Sequence, residues 1–195
     1  MDITNKVFWN EALKGGTIIG LVSVAFSLMG WLIAKSGVGF WGGFVSLAST
    51  LVFVALVYAF TKKISASSPA AYGFSYGRSV GFVIAMMLFA GVLKGLYMTV
   101  MNNVVDPEAI TRSIDEVMVL MQDFIADEQF DAMYSLMPKM MRNPFYLIFA
   151  SVINMVVGGL IVGLIVSAFT KRDPDLFADE PVEDEDDSEG NEYNS

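Results

Sequence analysis

The sequence predicts an all-α integral membrane protein, a four-helix bundle with an amphipathic helical insert between its third and fourth spans. Two observations carry that prediction. Of 195 residues 54% are apolar and only 17% charged, a balance that a water-solvated domain rarely has. Four stretches are also long enough to cross a bilayer, since a helix rises about 1.5 Å per residue and a hydrocarbon core of about 30 Å needs roughly 20 apolar residues.

The first span runs from Gly15 to Ala34, charge-free between Lys14 and Lys35. Glu11 precedes it and no small-x-small cleavage site stands before Lys35, so it reads as a retained helix rather than a secretory signal. Ser36-Gly37 makes a short turn that folds the second span, Val38 to Thr61, back against the first. Ser68-Pro69 then reads as an N-cap with proline at the first helical position, where a missing N–H costs nothing. The third span, Ser79 to Asn102, is interrupted only by Lys94, and the fourth, Pro144 to Thr170, opens on a second cap, Asn143-Pro144. This last span is long enough that it should tilt or protrude.

Residues 103–143 form the insert. Asp106-Pro107 reads as a cap, and Ile110, Ile114, Val117, Met118, Met121, Phe124 and Ile125 follow at helical spacing, opposite Glu108, Arg112, Asp115, Glu116 and Asp123. A second segment starts near Asp127 and carries Phe130, Met133, Tyr134 and Met137 on one face until Pro138, where it is expected to end. The pattern predicts a helical hairpin lying on the membrane surface or over the mouth of the bundle. Its methionines include M-x-x-M at Met118 to Met121 and at Met137 to Met140, and paired thioethers suit Cu(I). With no Cys or His nearby, flexible filling of an apolar face is the reading adopted.

The net charge of −9 belongs to one segment. Residues 173–195 hold eleven acids and no base, which leaves ten acids against twelve bases in 1–172. So charged a run, poor in apolar residues, predicts a solvated, disordered tail outside the transmembrane domain. Direction follows from the bases near the span ends. With the N-terminus inside, the cytoplasmic side carries Lys6, Lys14, Lys62, Lys63, Arg78, Lys171 and Arg172, and the outside Lys35, Arg112, Lys139 and Arg142. Seven against four predicts both termini in the cytoplasm, with the chain in an inner, plasma-type membrane, since helical spans are not the barrels of an outer membrane.

Little catalytic chemistry is available. Cys and His are both absent, which removes disulfides, thiolate nucleophiles and Cys or His zinc sites. Ser23, Ser27, Ser46, Ser49 and Ser167 lie in the spans, but neither His nor an intramembrane acid is there to activate one. The sequence therefore predicts no catalytic residue, no metal site, no cofactor and no nucleic-acid partner. Lys94 is the intramembrane charge, costing about 2.5–3.5 kcal/mol at a helix centre, and so the first functional candidate. It is expected to snorkel or pair with a polar group, with a solute path or a lipid headgroup as the alternatives. Small residues recur four apart at Gly16 and Gly20, at Gly73, Gly77 and Gly81, at Gly91 and Gly95, and at Gly159 and Gly163. Such pairs let helix backbones approach closely, within the bundle or between copies of the chain.

Three stretches carry a resemblance: FSYGRSVGF at Phe74 to Phe82, KGLYMTVMNNVVDPE at Lys94 to Glu108, and GGLIVGLIVSAFTKR at Gly158 to Arg172. They resemble the domain-of-unknown-function 4199 family of bacterial membrane proteins, over about residues 8–172. The resemblance implies a four-helix bacterial membrane protein with an extramembrane insert before the last span. It implies no activity and no site residue. The expected role is a non-enzymatic accessory or scaffold protein with the lipid bilayer, a second copy or another membrane protein as partner. The alternative is a small oligomeric channel or transporter with Lys94 near its path.

Overall fold

The computed structural model describes residues 3–37, 40–68, 73–121 and 127–174. The acidic tail expected at 173–195 lies outside the described residues from 175 onward. Among the described residues six α-helices succeed one another: α1 (Ile3–Ser36), α2 (Phe40–Ser67), α3 (Tyr76–Val100), α4 (Pro107–Met121), α5 (Asp127–Arg142) and α6 (Pro144–Thr170), with a π-helical turn at Met101–Val105 continuing α3. Helices α1, α2, α3 and α6 are long and apolar enough to cross a membrane. Three of the four outrun the spans read from the sequence, because a charge at a span end stops the apolar run without stopping the helix. α1 begins before Glu11 and Lys14 and α2 continues past Lys62 and Lys63.

The caps explain where the helices begin and end. Gly37 takes the left-handed conformation (φ 73°) that closes α1. Asn143 caps α6 as expected, its side chain accepting from the amides of Phe145 (3.0 Å) and Tyr146 (3.4 Å). The cap of α3 is Ser75, whose hydroxyl accepts from the Arg78 amide. Ser68 donates its hydroxyl back to the Ile64 carbonyl at the end of α2, and Pro69, expected to open a helix after it, lies outside the described residues. Pro138 does not end α5, which runs on to Arg142. Proline removes one amide donor but leaves the other bonds of the helix intact.

Helix α3 is the hub, packed against both α6 and α1. Its seam with α6 is built on glycine. A Cβ added at Gly91 would lie 2.6 Å from Val152 Cα, and one at Gly95 would lie 2.5 Å from Ile148 Cα. From the other side Gly159 abuts Met87, and Gly163 faces Val83. Gly16 and Gly20 do the same for α1, against Met86 and Phe89 and against Leu93 and Ala90. A Cβ at Gly77 or Gly81 would meet no atom within 4 Å among the described residues, so those two candidates face outward.

One end of the bundle, where α1 starts and α6 stops, is closed by polar ties. Glu11 of α1 pairs with Lys63 of α2 (2.8 Å) and Lys14 (3.1 Å). Ser65 of α2 donates to the Thr170 carbonyl (2.6 Å), and the Thr170 and Ser79 hydroxyls share a buried bond (3.0 Å). Phe74 and Arg172 exchange both backbone bonds (2.7 and 2.9 Å) in an isolated antiparallel bridge. That bridge needs Gly73 at φ 60°, where a Cβ would lie 2.5 Å from the Arg172 carbonyl oxygen. We call this the terminal end and the opposite one the insert end.

The insert is a helical hairpin at the insert end. Ile110, Ile114 and Met118 of α4 are buried against Met133, Met137 and Met141 of α5 and its end, so these thioethers fill an apolar core. Met140 turns outward, as does Val117, while the Met121 side chain and residues 122–126 lie outside the described part of the chain. Large apolar side chains along the spans are exposed, among them Leu21, Leu28, Leu51, Phe149, Val157 and Ile161. Aromatic clusters sit near both ends, Phe8 with Trp9 and Phe40 with Trp41 and Phe44. An apolar belt edged by aromatics is the surface that lipid solvates.

Candidate functional site

Helix α2 is packed over only half its length. Its buried residues are Val57, Thr61, Ile64 and Ser65, all toward the terminal end. Toward the insert end Phe44, Leu47 and Leu51 are exposed, and a cleft of about 380 Å³ lies between α2 and the rest of the bundle. Ser23, Phe26, Ser27 and Gly30 line it from α1, and Gly42, Val45, Ser46, Ser49, Thr50 and Phe53 from α2. Lys94 of α3 and Met155 of α6 complete it. The hydroxyls share it because they recur at helical spacing, Ser23 with Ser27 and Ser46 with Ser49 and Thr50.

Lys94 does not snorkel away from this cleft. Its ammonium donates to the Ser27 hydroxyl and, at 3.4 Å, to the Ser23 carbonyl. It also lies 5.7 Å from the centre of the Tyr97 ring. The ion pairs among the described residues use Lys14 and Lys63 on Glu11, and Lys35 and Arg112 on Asp106. Lys94 therefore has neutral oxygens as partners and no carboxylate among the described residues. A lysine beside a serine raises the question of a nucleophile. Here the hydroxyl of Ser27 donates to the Ser23 carbonyl (2.9 Å), so its proton is turned away from the amine. The backbone amides around it are spent in the helix, and no oxyanion hole faces it among the described residues. What the arrangement can do is hold an anion.

The family model described as "Protein of unknown function (DUF4199)" matches residues 14–172. The chain belongs to that family. Comparison with curated proteins and with solved structures finds no match. The DUF4199 match takes in α2, α3, α6 and α1 from Lys14 onward, with the cleft and the insert, and assigns no role to any of them.

A second polar constellation in this DUF4199 chain escaped the reading of Asp106 as a helix cap. The last turn before it is π-helical, its amide bonding to the Met101 carbonyl (2.9 Å). That turn carries the carboxylate toward α1 rather than onto the amides of α4. Trp31 Nε1 donates to it at 3.0 Å, Arg112 at 3.1 and 3.2 Å, and Lys35 sits 3.5 Å away. Lys35 also stacks over the Trp31 ring at 4.5 Å. The Trp31 indole first, with Lys35 and Arg112, holds the Asp106 carboxyl below the usual carboxylate range, against the opposing effect of burial, which outweighs the charge of either cation alone. Asp106 is thus the latch between α1, α3 and the insert. The sequence signal was a tryptophan and a lysine one turn apart at the end of α1, which nothing local linked to residue 106.

Proposed function

We propose that this DUF4199 protein is a non-enzymatic accessory or scaffold protein of the bacterial inner membrane, with both termini in the cytoplasm. The observation that carries the reading is the filled terminal half of the bundle. Ala12, Ile19, Val57, Ile64, Phe82, Val83 and Met86 pack there as one core, and the polar cleft lies toward the insert end, its Phe53 and Met155 packing against that core where the two meet. A pump or channel needs an open polar path toward both faces; here the cleft gives way to a packed core in which Thr61, Ser65, Ser79 and Thr170 are bonded within the bundle. The excess of bases at the terminal end supports the direction. Gly77 and Gly81, open on the outside of α3, leave room for another helix to approach.

Pull-down from native membranes tests this. One stoichiometric membrane partner, or a second copy of the chain, is the expected result. The Lys94 cleft favours one second reading, a small oligomeric channel or transporter whose path is completed between copies. Solute uptake by proteoliposomes of the protein alone would establish that reading and overturn the first. Direction is tested by a tag in the insert, which should be accessible from outside the cell.

A further inference from the structure

We infer that the cleft around Lys94 binds the phosphodiester headgroup of an anionic, polyol-bearing lipid, which reaches it sideways from the leaflet at the insert end. Four features of the cleft lead there, and they are independent of the scaffold reading.

The first is charge. The ion-paired cations among the described residues, Lys14, Lys63, Lys35 and Arg112, are matched to Glu11 or Asp106. Lys94 lies about 15 Å in from the insert end, given roughly 1.5 Å per residue, and its ammonium meets only Ser27, Ser23 and the Tyr97 ring among the described residues. An ammonium in so apolar a setting calls for an anion, and the described fold supplies none. The second is the lining. Five hydroxylated residues, Ser23, Ser27, Ser46, Ser49 and Thr50, line the same space; Ser27 and Thr50 already donate to backbone carbonyls, and the others are left to donate. A hydroxyl both donates and accepts, so the set suits phosphate oxygens and glycerol-type hydroxyls together.

The third is size and access. A volume of about 380 Å³ lies at the small end of ligand sites, which run from about 300 to 1,000 Å³, and takes a headgroup but not a whole lipid. Ser46 and Thr50 line the cleft and are nevertheless exposed, so it is open at their depth. They stand six and ten residues past Phe40, roughly 9–15 Å inside the insert end, where the surroundings are lipid. The fourth is the apolar part of the wall, Phe26, Val45, Phe53 and Met155. It continues the cleft as a surface for the first acyl methylenes.

Purified full-length chain is reconstituted in nanodiscs of phosphatidylcholine doped with phosphatidylglycerol, and the lipid that stays bound after transfer to detergent is counted by native mass spectrometry. Wild type is expected to retain phosphatidylglycerol selectively. Lys94→Met should lower that retention about tenfold or more, the effect of losing a charge-assisted hydrogen bond. Gly42→Leu is the second variant, because Gly42 lines the cleft and a Cβ there meets nothing within 4 Å, which leaves room for a larger side chain to narrow it. It should lower retention similarly at an unchanged thermal midpoint, and it carries the test alone if Lys94→Met fails to fold. Equal retention by wild type and Gly42→Leu would show ordinary annular lipid and overturn the inference. Inorganic phosphate separates the two sources of the oxyanion. No displacement at millimolar phosphate supports the lipid, whereas full displacement assigns the site to a soluble anion and overturns the lipid.

Discussion

The two halves of the bundle sit in the same membrane and are built differently. At the terminal end four helices converge, and α2 contributes Val57, Thr61, Ile64 and Ser65 to the interior. Most hydroxyls there are paired off, Ser79 with Thr170 and Ser65 with the Thr170 carbonyl, while the buried Ser167 hydroxyl has no partner among the described residues. At the insert end α2 withdraws, hydroxyls line an open cleft, and a lysine stands without a counter-charge among the described residues. The difference separates two uses of the same residue types. Small and hydroxylated side chains let helices touch where they are matched, and make a place for something else where they are not.

The contrast between the halves is tested hardest at the α3–α6 seam. Gly91→Leu would drive a side chain into the Val152 backbone, and overpacking of this kind costs about 1–3 kcal/mol or more. Thermal unfolding in detergent should show a large drop in midpoint for Gly91→Leu and almost none for Gly42→Leu. Comparable losses would mean that the halves are equally packed. Thr170→Val comes next. It strips the Ser79 hydroxyl of its partner in a buried site, a loss of about 1–3 kcal/mol, read by the same unfolding measurement.

Gly73→Ala should cost about 1–2 kcal/mol, because an L side chain is forced into the left-handed region, besides crowding the Arg172 carbonyl. Faster amide exchange at Phe74 and Arg172 would report the broken bridge. The Asp106 latch has a pH signature. Its carboxyl is held low in the folded chain, so the unfolded state takes up the proton first as pH falls. The stabilisation is therefore present above about pH 4 and lost as pH drops through the lower, folded value. Proteolysis of the insert should stay level from about pH 7 to about pH 5 and accelerate as the pH falls below about 4, and Asp106→Asn should already be cut faster at about pH 6, with the pH step reduced. The smallest effect belongs to Gly42→Leu, within about 0.5 kcal/mol of wild type.

The spans, the hairpin turn at Gly37, the cap at Asn143 and the methionine core of the insert were legible because each is written in adjacent residues or in one helical period. Gly91 with Gly95 and Gly159 with Gly163 were legible as pairs, but which pair met which was not. Gly77 and Gly81 have the same spacing and face outward, since spacing fixes a face and not its neighbour. The Lys94 cleft illustrates the same limit. Ser23, Ser27, Ser46 and Ser49 were visible as small polar residues in two spans, yet only the approach of α3 to α1 sets an ammonium among them. Pro138 misled because a proline weakens a helix more reliably than it ends one.

The π-helical turn at Met101–Val105 bears on how this chain tolerates change. Such a turn is one residue of surplus held inside a helix, a phase shift of roughly 100° between the helix before it and the chain after it. Deleting one residue there would restore an ordinary helix and swing Asp106 away from Trp31, leaving α3, its glycines and Lys94 in register. The bundle and its insert are thus timed by a single extra residue, and the alignment of one on the other can be lost without a contact inside either being touched.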